Sequence, residues 1–195
     1  MQPWLIQLIL NCQGEVIENY DQADDTRRGL HHRGWCNGCV THWLRCKRFQ
    51  IDFWSWFRTG EAATRVRSVM TKAKMIKSAV PNHPDPSTEA ATLVLKEYGI
   101  ILSYYGEEMV LRGKTLSTEI SANHGGGKYN FVAMWGAGGG HVFGVVWGEA
   151  SCSIFDPNAG EIVIPRNRTT DFFPMFLTGM GYSRDYSGCG VVKFS

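Results

Sequence analysis

No apolar run in this sequence approaches the ~20 residues that a membrane-spanning helix needs. Neither sign of charge dominates, with 20 Lys and Arg against 18 Asp and Glu. The first absence argues against a helical span within these residues, and the second against broad nucleic-acid binding. Internal repeats and low-complexity tracts are also missing. The apolar start from Trp4 to Leu10 has no basic residues before it and no small-residue cleavage site after it, so it reads as a buried strand or a first helix. Leu10-Asn11-Cys12 superficially matches a lipoprotein cleavage site, but Asn is too polar there and the run too short.

What is present points to a globular chain. At 44% hydrophobic and 19% charged residues, disorder and coiled coil are excluded. A chain of 195 residues buries roughly 70% of its unfolded surface on folding and needs no disulfides. The six cysteines, at 12, 36, 39, 46, 152 and 189, are therefore expected as reduced thiols. We expect one domain over residues 1–195, in which 1–29 can form an N-terminal extension. The 22 glycines imply many turns and close backbone approaches.

Periodicity divides the chain into helices first and strands afterwards. From Asn37, the residues Val40, Trp43, Leu44 and Lys47 follow helical spacing, with a basic end suited to a helix C-terminus. Glu61 to Ala79 repeats the pattern, with Val66, Val69, Met70, Ala73 and Ile76 on one face and Arg65, Arg67, Lys72, Lys74 and Lys77 on the other. A third helix is expected over 88–98. Strands are expected at 129–135, 142–147, 151–155 and 161–164, a late helix at 170–177 and a closing edge strand at 191–194. This order is α+β, with helices packed on an antiparallel sheet.

Three stretches can carry chemistry. In Gly34-Trp35-Cys36-Asn37-Gly38-Cys39, a loop delivers Cys36 to the first turn of a helix. Unpaired amides and the helix dipole favour an anion there, which suits a nucleophilic thiolate. A buried structural cysteine is the competing reading. Cys36, Cys39, His42 and Cys46 also resemble a zinc-ligand list, but one helix cannot aim four side chains at a single point. The second stretch, Gly138-Gly139-Gly140-His141, puts a histidine at the mouth of an apolar strand. No Gly-Lys-Ser/Thr follows these glycines, so they are not a phosphate loop. His124-Gly125-Gly126-Gly127 resembles a lipase oxyanion loop but has no G-x-S-x-G to accompany it. In the third, Asp156 ends a short strand and opens the turn Asp156-Pro157-Asn158-Ala159-Gly160-Glu161. A hairpin can return this carboxylate to the imidazole, where holding Nδ1–H would steady an imidazolium.

Gly34-x-Cys36-x-Gly38 followed by Trp43-Leu44, His141 at a strand opening, and Phe155-Asp156-Pro157-Asn158-x-Gly160-Glu161 together resemble the YopT/AvrPphB-like cysteine proteases of the papain clan. The last block is the most specific. The resemblance spans residues 30 to 195 and implies a papain-like fold. It implies endopeptidase activity, and hence a protein substrate; separately, we expect no cofactor, metal or nucleic acid, and a monomer. Bacteria secrete such proteins into a host or target cell as effectors or toxins. Cys36 is then the nucleophile, His141 the general base and acid, and Asp156 its orienter. One departure concerns the oxyanion hole: Leu30-His31-His32-Arg33 lacks the amide side chain that papain-like enzymes place before the nucleophile. His31, His32 or Gln13 would have to donate, together with the Cys36 backbone N–H.

Two other functions stand beside this one. The triad serves glutamine deamidation or transglutamination equally well. A binding role would rest on the basic face of residues 65–77, which suits acidic partners or peripheral contact with an anionic membrane, although such faces are usually only solvated.

Overall fold

The structure is a computed structural model that describes residues 1–28, 35–82, 85–106, 109–110, 116, 118–120 and 127–195. Its centre is an antiparallel sheet in which both faces of most strands are apolar and both are covered. Strand β4 (Tyr129–Gly136) sends Phe131 and Ala133 to one face and Val132 and Met134 to the other. It pairs with β5 (Gly139–Trp147), which continues through β6 (Ser151–Asp156) and β7 (Gly160–Pro165) as successive hairpins. A short strand near the N-terminus, β1 (Glu15–Glu18), adds to the outside of β7. On the other side β4 pairs with β8 (Gly188–Phe194), which in turn carries β2 (Leu102–Tyr105) and β3 (Met109–Val110). The sheet order is β1-β7-β6-β5-β4-β8-β2.

The last strand departs from expectation. Residues 191–194 were expected to close the sheet as an edge, yet β8 is interior, flanked by β4 and β2, and every residue of it is buried. Lys193 interrupts the apolar run and so mimics a solvent-facing position. Its side chain is fully buried, and its ammonium donates to the Glu119 carbonyl at 2.8 Å.

One face of the sheet is covered by α1 (Pro3–Asn11), α6 (Thr169–Gly179) and the single turn α7 (Tyr182–Asp185). Leu5 and Ile9 of α1 and Phe172 and Phe176 of α6 pack there with Phe143 of β5. The apolar start is thus a helix, and α1 and β1 contribute to the core and the sheet. The other face is covered by α2 (Trp35–Arg48), backed by α4 (Gly60–Ala79) and α5 (Pro86–Glu97). Asp85 caps α5 by accepting from the Thr88 amide at 3.0 Å, with Pro86 in the first turn where its missing N–H costs nothing. The short α3 (Phe53–Phe57), capped by Asp52, buries Trp54 and Phe57 against Phe155 and Tyr20. These aromatics are core.

Two glycines in this frame are there for space. A Cβ on Gly144 would lie 2.9 Å from the Trp43 ring, so the missing side chain lets α2 lie directly on β5. Gly160 has φ +99° and a Cβ there would meet the Glu18 carbonyl at 2.1 Å, so only glycine lets β1 dock at this turn. Among the described residues, no helix is long and apolar enough to cross a membrane.

Candidate active site

The position of Cys36 follows from the residues that lock the start of α2. Arg27 forms a bidentate pair with Asp25 at 2.7 and 2.9 Å, Tyr20 donates its hydroxyl to the same carboxylate at 2.9 Å, and the Trp35 indole N–H donates to Tyr20 at 3.1 Å. Burial works against an ionised Asp25, but these donors outweigh it and hold its pKa below the usual carboxylate range. Asn37 donates to the Ser87 carbonyl at 2.7 Å, tying the same turn to the start of α5. Cys36 therefore sits on a braced first turn, 6% exposed.

His141 and Asp156 come from adjacent strands, and the ladder between them stops short of both. β5 and β6 pair only from Gly144–Phe155 to Trp147–Cys152. Beyond its end, His141 Nε2 lies 2.9 Å from Asp156 Oδ1, with the two side chains 3% and 1% exposed. The carboxylate also accepts from the Asn158 amide at 2.8 Å on Oδ1 and from the Tyr182 hydroxyl at 2.8 Å on Oδ2. The nitrogen facing Asp156 is Nε2, whereas the sequence reading placed the carboxylate on Nδ1; the ring enters from the strand end with Nε2 inward. Nδ1 is thereby left for the sulfur.

Burial alone would push the His141 pKa down. The charge and hydrogen bond of Asp156, joined by those of Cys36, outweigh burial and raise it to about 10. The imidazolium is thus the form this site favours at neutral pH. Cys36, His141 and the glycine turn Gly138–Gly140 line one cleft of about 330 Å³ with Asn37, Trp135 and Tyr186. Burial, and then the proximity of Cys36 and Asp156, raise the pKa of the Tyr186 phenol. Neither Gly138 nor Gly139 has a neighbour within 4 Å of where a Cβ would stand, so extended chain can approach this rim closely. A larger cavity of about 790 Å³ lies away from these residues, along α4 and beside Leu93.

The remaining sequence candidates separate in space. Cys39 is fully buried, and burial holds its thiol well above the ordinary range. His42 packs on Trp56, their ring centroids 5.1 Å apart, and burial pushes its pKa down to about 4. All six cysteines are free and buried, and Cys36 alone lines the cleft among those described. No group of three or more metal-ligating side chains occurs among the described residues. Residues 31 and 32, candidates for the oxyanion hole, and the glycines at 125–126 lie outside the described residues. Gln13 does not line the cleft; Gln22 does, and its amide donates to Asn158 Oδ1 at 2.6 Å.

Tyr182, which sequence reasoning passed over, belongs to this site. Tyr182 follows Gly181, whose φ of +77° marks a tight reversal after α6. Glu161 anchors the frame, accepting from the Trp54 indole at 2.7 Å and pairing with Lys47 at 2.5 Å. Its place inside the Asp156–Glu161 block was a usable signal. For Tyr182 there was none, because 26 residues separate it from Asp156.

The elements define a papain-like α+β fold, with a helix N-terminus facing a histidine and a carboxylate carried by an antiparallel sheet. The crystal structure of the Pseudomonas avirulence protein AvrPphB has this fold, matching with a TM-score of 0.65 over 84% of this chain and 93% of that one, at 16% identity. A YopT domain from the Pasteurella multocida PfhB2 toxin gives a TM-score of 0.35 over 90% and 91% of the two chains, at 19% identity. The chain matches no family model and no curated protein sequence. The resemblance first drawn from Cys36, His141 and the Asp156 block extends, through AvrPphB, to the fold.

Proposed function

We propose that this protein is a cysteine endopeptidase in which Cys36 is the nucleophile, His141 the acid and base, and Asp156 the group that orients and charges His141. The observation that carries this reading is the buried His141–Asp156 contact opening on a cleft that Cys36 also lines. The imidazolium favoured by Asp156 stabilises a thiolate at Cys36. The sulfur attacks a peptide carbonyl carbon, and the oxyanion that forms meets the Cys36 backbone N–H, which lies in the first helical turn, where amides have no partner within the helix. The C–N bond then breaks as the Nδ1 proton passes to the leaving amine, which leaves a thioester. Water attacks the thioester with its proton going to Nδ1, releasing the acid and restoring Cys36.

The fold shared with an avirulence protein supports a secreted bacterial effector that acts on a protein of a host or target cell. The test has two parts. An epoxide inhibitor reactive toward thiols should label Cys36 selectively among six cysteines at neutral pH, read by peptide mass spectrometry. New protein N-termini should appear in a target-cell lysate treated with the wild type and be absent with Cys36→Ala. Wild-type-level cleavage by a folded Cys36→Ala protein refutes the assignment. Substrates that gain about one dalton without new termini mean glutamine deamidation by the same residues.

A further inference from the structure

We propose that Tyr182 is a fourth member of the site, a positioning residue that fixes the orientation of the His141 ring, with Nε2 toward Asp156 and Nδ1 toward the sulfur. This rests on the reading of Cys36, His141 and Asp156 given above. The hydroxyl of Tyr182 is 3.1 Å from His141 Nε2 and 2.8 Å from Asp156 Oδ2, and the Asn158 amide nitrogen reaches it at 3.3 Å. A phenol has one proton and two lone pairs. Its proton goes to Oδ2, since an ionised carboxylate only accepts. Its lone pairs then face two N–H groups, those of Asn158 and of His141 Nε2. The Nε2 proton is accordingly shared between Asp156 Oδ1 and the Tyr182 oxygen. Both acceptors lie on the same side of the ring, so a flip would turn a C–H toward them and cost two hydrogen bonds.

The surroundings keep this arrangement in place. Tyr182 is 3% exposed, and its ring packs 5.0 Å from the His141 ring and 6.1 Å from Phe176. Burial and the charge of Asp156 raise its pKa well above the ordinary value, so it stays a neutral donor throughout the working range. Asn158 is itself held by Gln22 from the cleft wall. Gly181, with its positive φ, makes the reversal that turns this tyrosine back toward the sheet.

The test removes the hydroxyl and keeps the ring, as Tyr182→Phe. Cys36 alkylation by iodoacetamide is followed in both proteins, and turnover is measured on a peptide spanning a cleavage site found in the lysate experiment. The expected result is a loss in kcat of about tenfold to a hundredfold, the range for one hydrogen bond to a charged group. KM should stay within about twofold. The Nε2–H of His141 loses its second acceptor, so its 15N–1H signal in histidine-labelled protein, protected in the wild type, should exchange faster with solvent in the variant. A purely structural tyrosine would lower thermal stability and leave that signal and kcat in place. If Tyr182→Phe does not fold, 3-fluorotyrosine at position 182, a stronger donor and weaker acceptor, should shift the same signal. An active wild type with an unchanged His141 signal and kcat in the variant overturns the proposal for Tyr182 alone. A wild type whose Cys36 is not selectively alkylated overturns the peptidase reading and this proposal together.

Discussion

Replacing Asp156 with Asn removes the carboxylate charge at nearly constant volume and turns one of its two accepting oxygens into a donor. In the wild type, burial opposes an imidazolium at His141, and Asp156 reverses that effect to raise the pKa to about 10. Without the charge, burial is opposed mainly by Cys36 and the pKa falls, so the charged fraction at neutral pH drops. With the proton donor depleted and the ring less firmly held, turnover should fall on the order of a thousandfold to ten-thousandfold. Stability responds as well, and its sign is fixed by linkage. A histidine whose pKa rises on folding contributes fully below pH 6.5 and loses that contribution as pH climbs toward 10. At about 1.4 kcal/mol per pH unit, the contribution is on the order of 4–5 kcal/mol at most. Thermal midpoints measured from pH 6 to 10 should therefore fall in the wild type and stay flatter in Asp156→Asn. Turnover on the identified peptide and the rate of Cys36 alkylation complete the measurement. An Asp156→Asn protein within threefold of wild-type turnover, with the same slope of midpoint against pH, refutes the reasoning.

Three further outcomes follow from the packing. His42 is buried with its pKa pushed down to about 4, so the unfolded chain gains a proton first as pH falls below 6.5. Stability should decline by ~3 kcal/mol between pH 6.5 and 4, and urea titrations of His42→Phe should show a shallower decline. At Gly144, a valine drives its side chain into Trp43 and Val40. It should cost about 1–3 kcal/mol of stability and also slow Cys36 alkylation, because the helix carrying Cys36 is displaced from β5. Gly160→Ala combines a positive φ with a clash against the Glu18 carbonyl. It should lower the melting midpoint by several degrees while leaving a detectable rate of Cys36 alkylation, read in the same labelling assay.

Much of the architecture was legible because its signal is local. The stripe of Val40, Trp43 and Leu44 marked α2, and the face of Val66, Val69 and Met70 marked α4. The hairpins from 129 to 165 announced themselves through apolar runs separated by glycine and the Asp156–Gly160 turn. That block was informative because four of its residues have separate duties. Asp156 meets His141, Asn158 donates back to Asp156, Gly160 admits β1, and Glu161 holds Lys47 and Trp54.

What sequence could not supply is whatever depends on contacts between distant segments. Lys193 reads as a surface residue until the strands on both sides of β8 are in place and a carbonyl receives its ammonium. Nothing near Tyr182 in the chain announces an aspartate and a histidine within hydrogen-bonding distance. Periodicity and turn chemistry, which depend on neighbours a few residues apart, determined the elements, and motif spacing named Cys36, His141 and Asp156 as candidates. Tertiary structure alone decided that Nε2 faces the carboxylate, that a phenol joins it, and that His42 is a core residue. A ring's orientation and its charge depend on the groups that surround it, and for His141 those, Cys36, Asp156 and Tyr182, come from three separate parts of the chain.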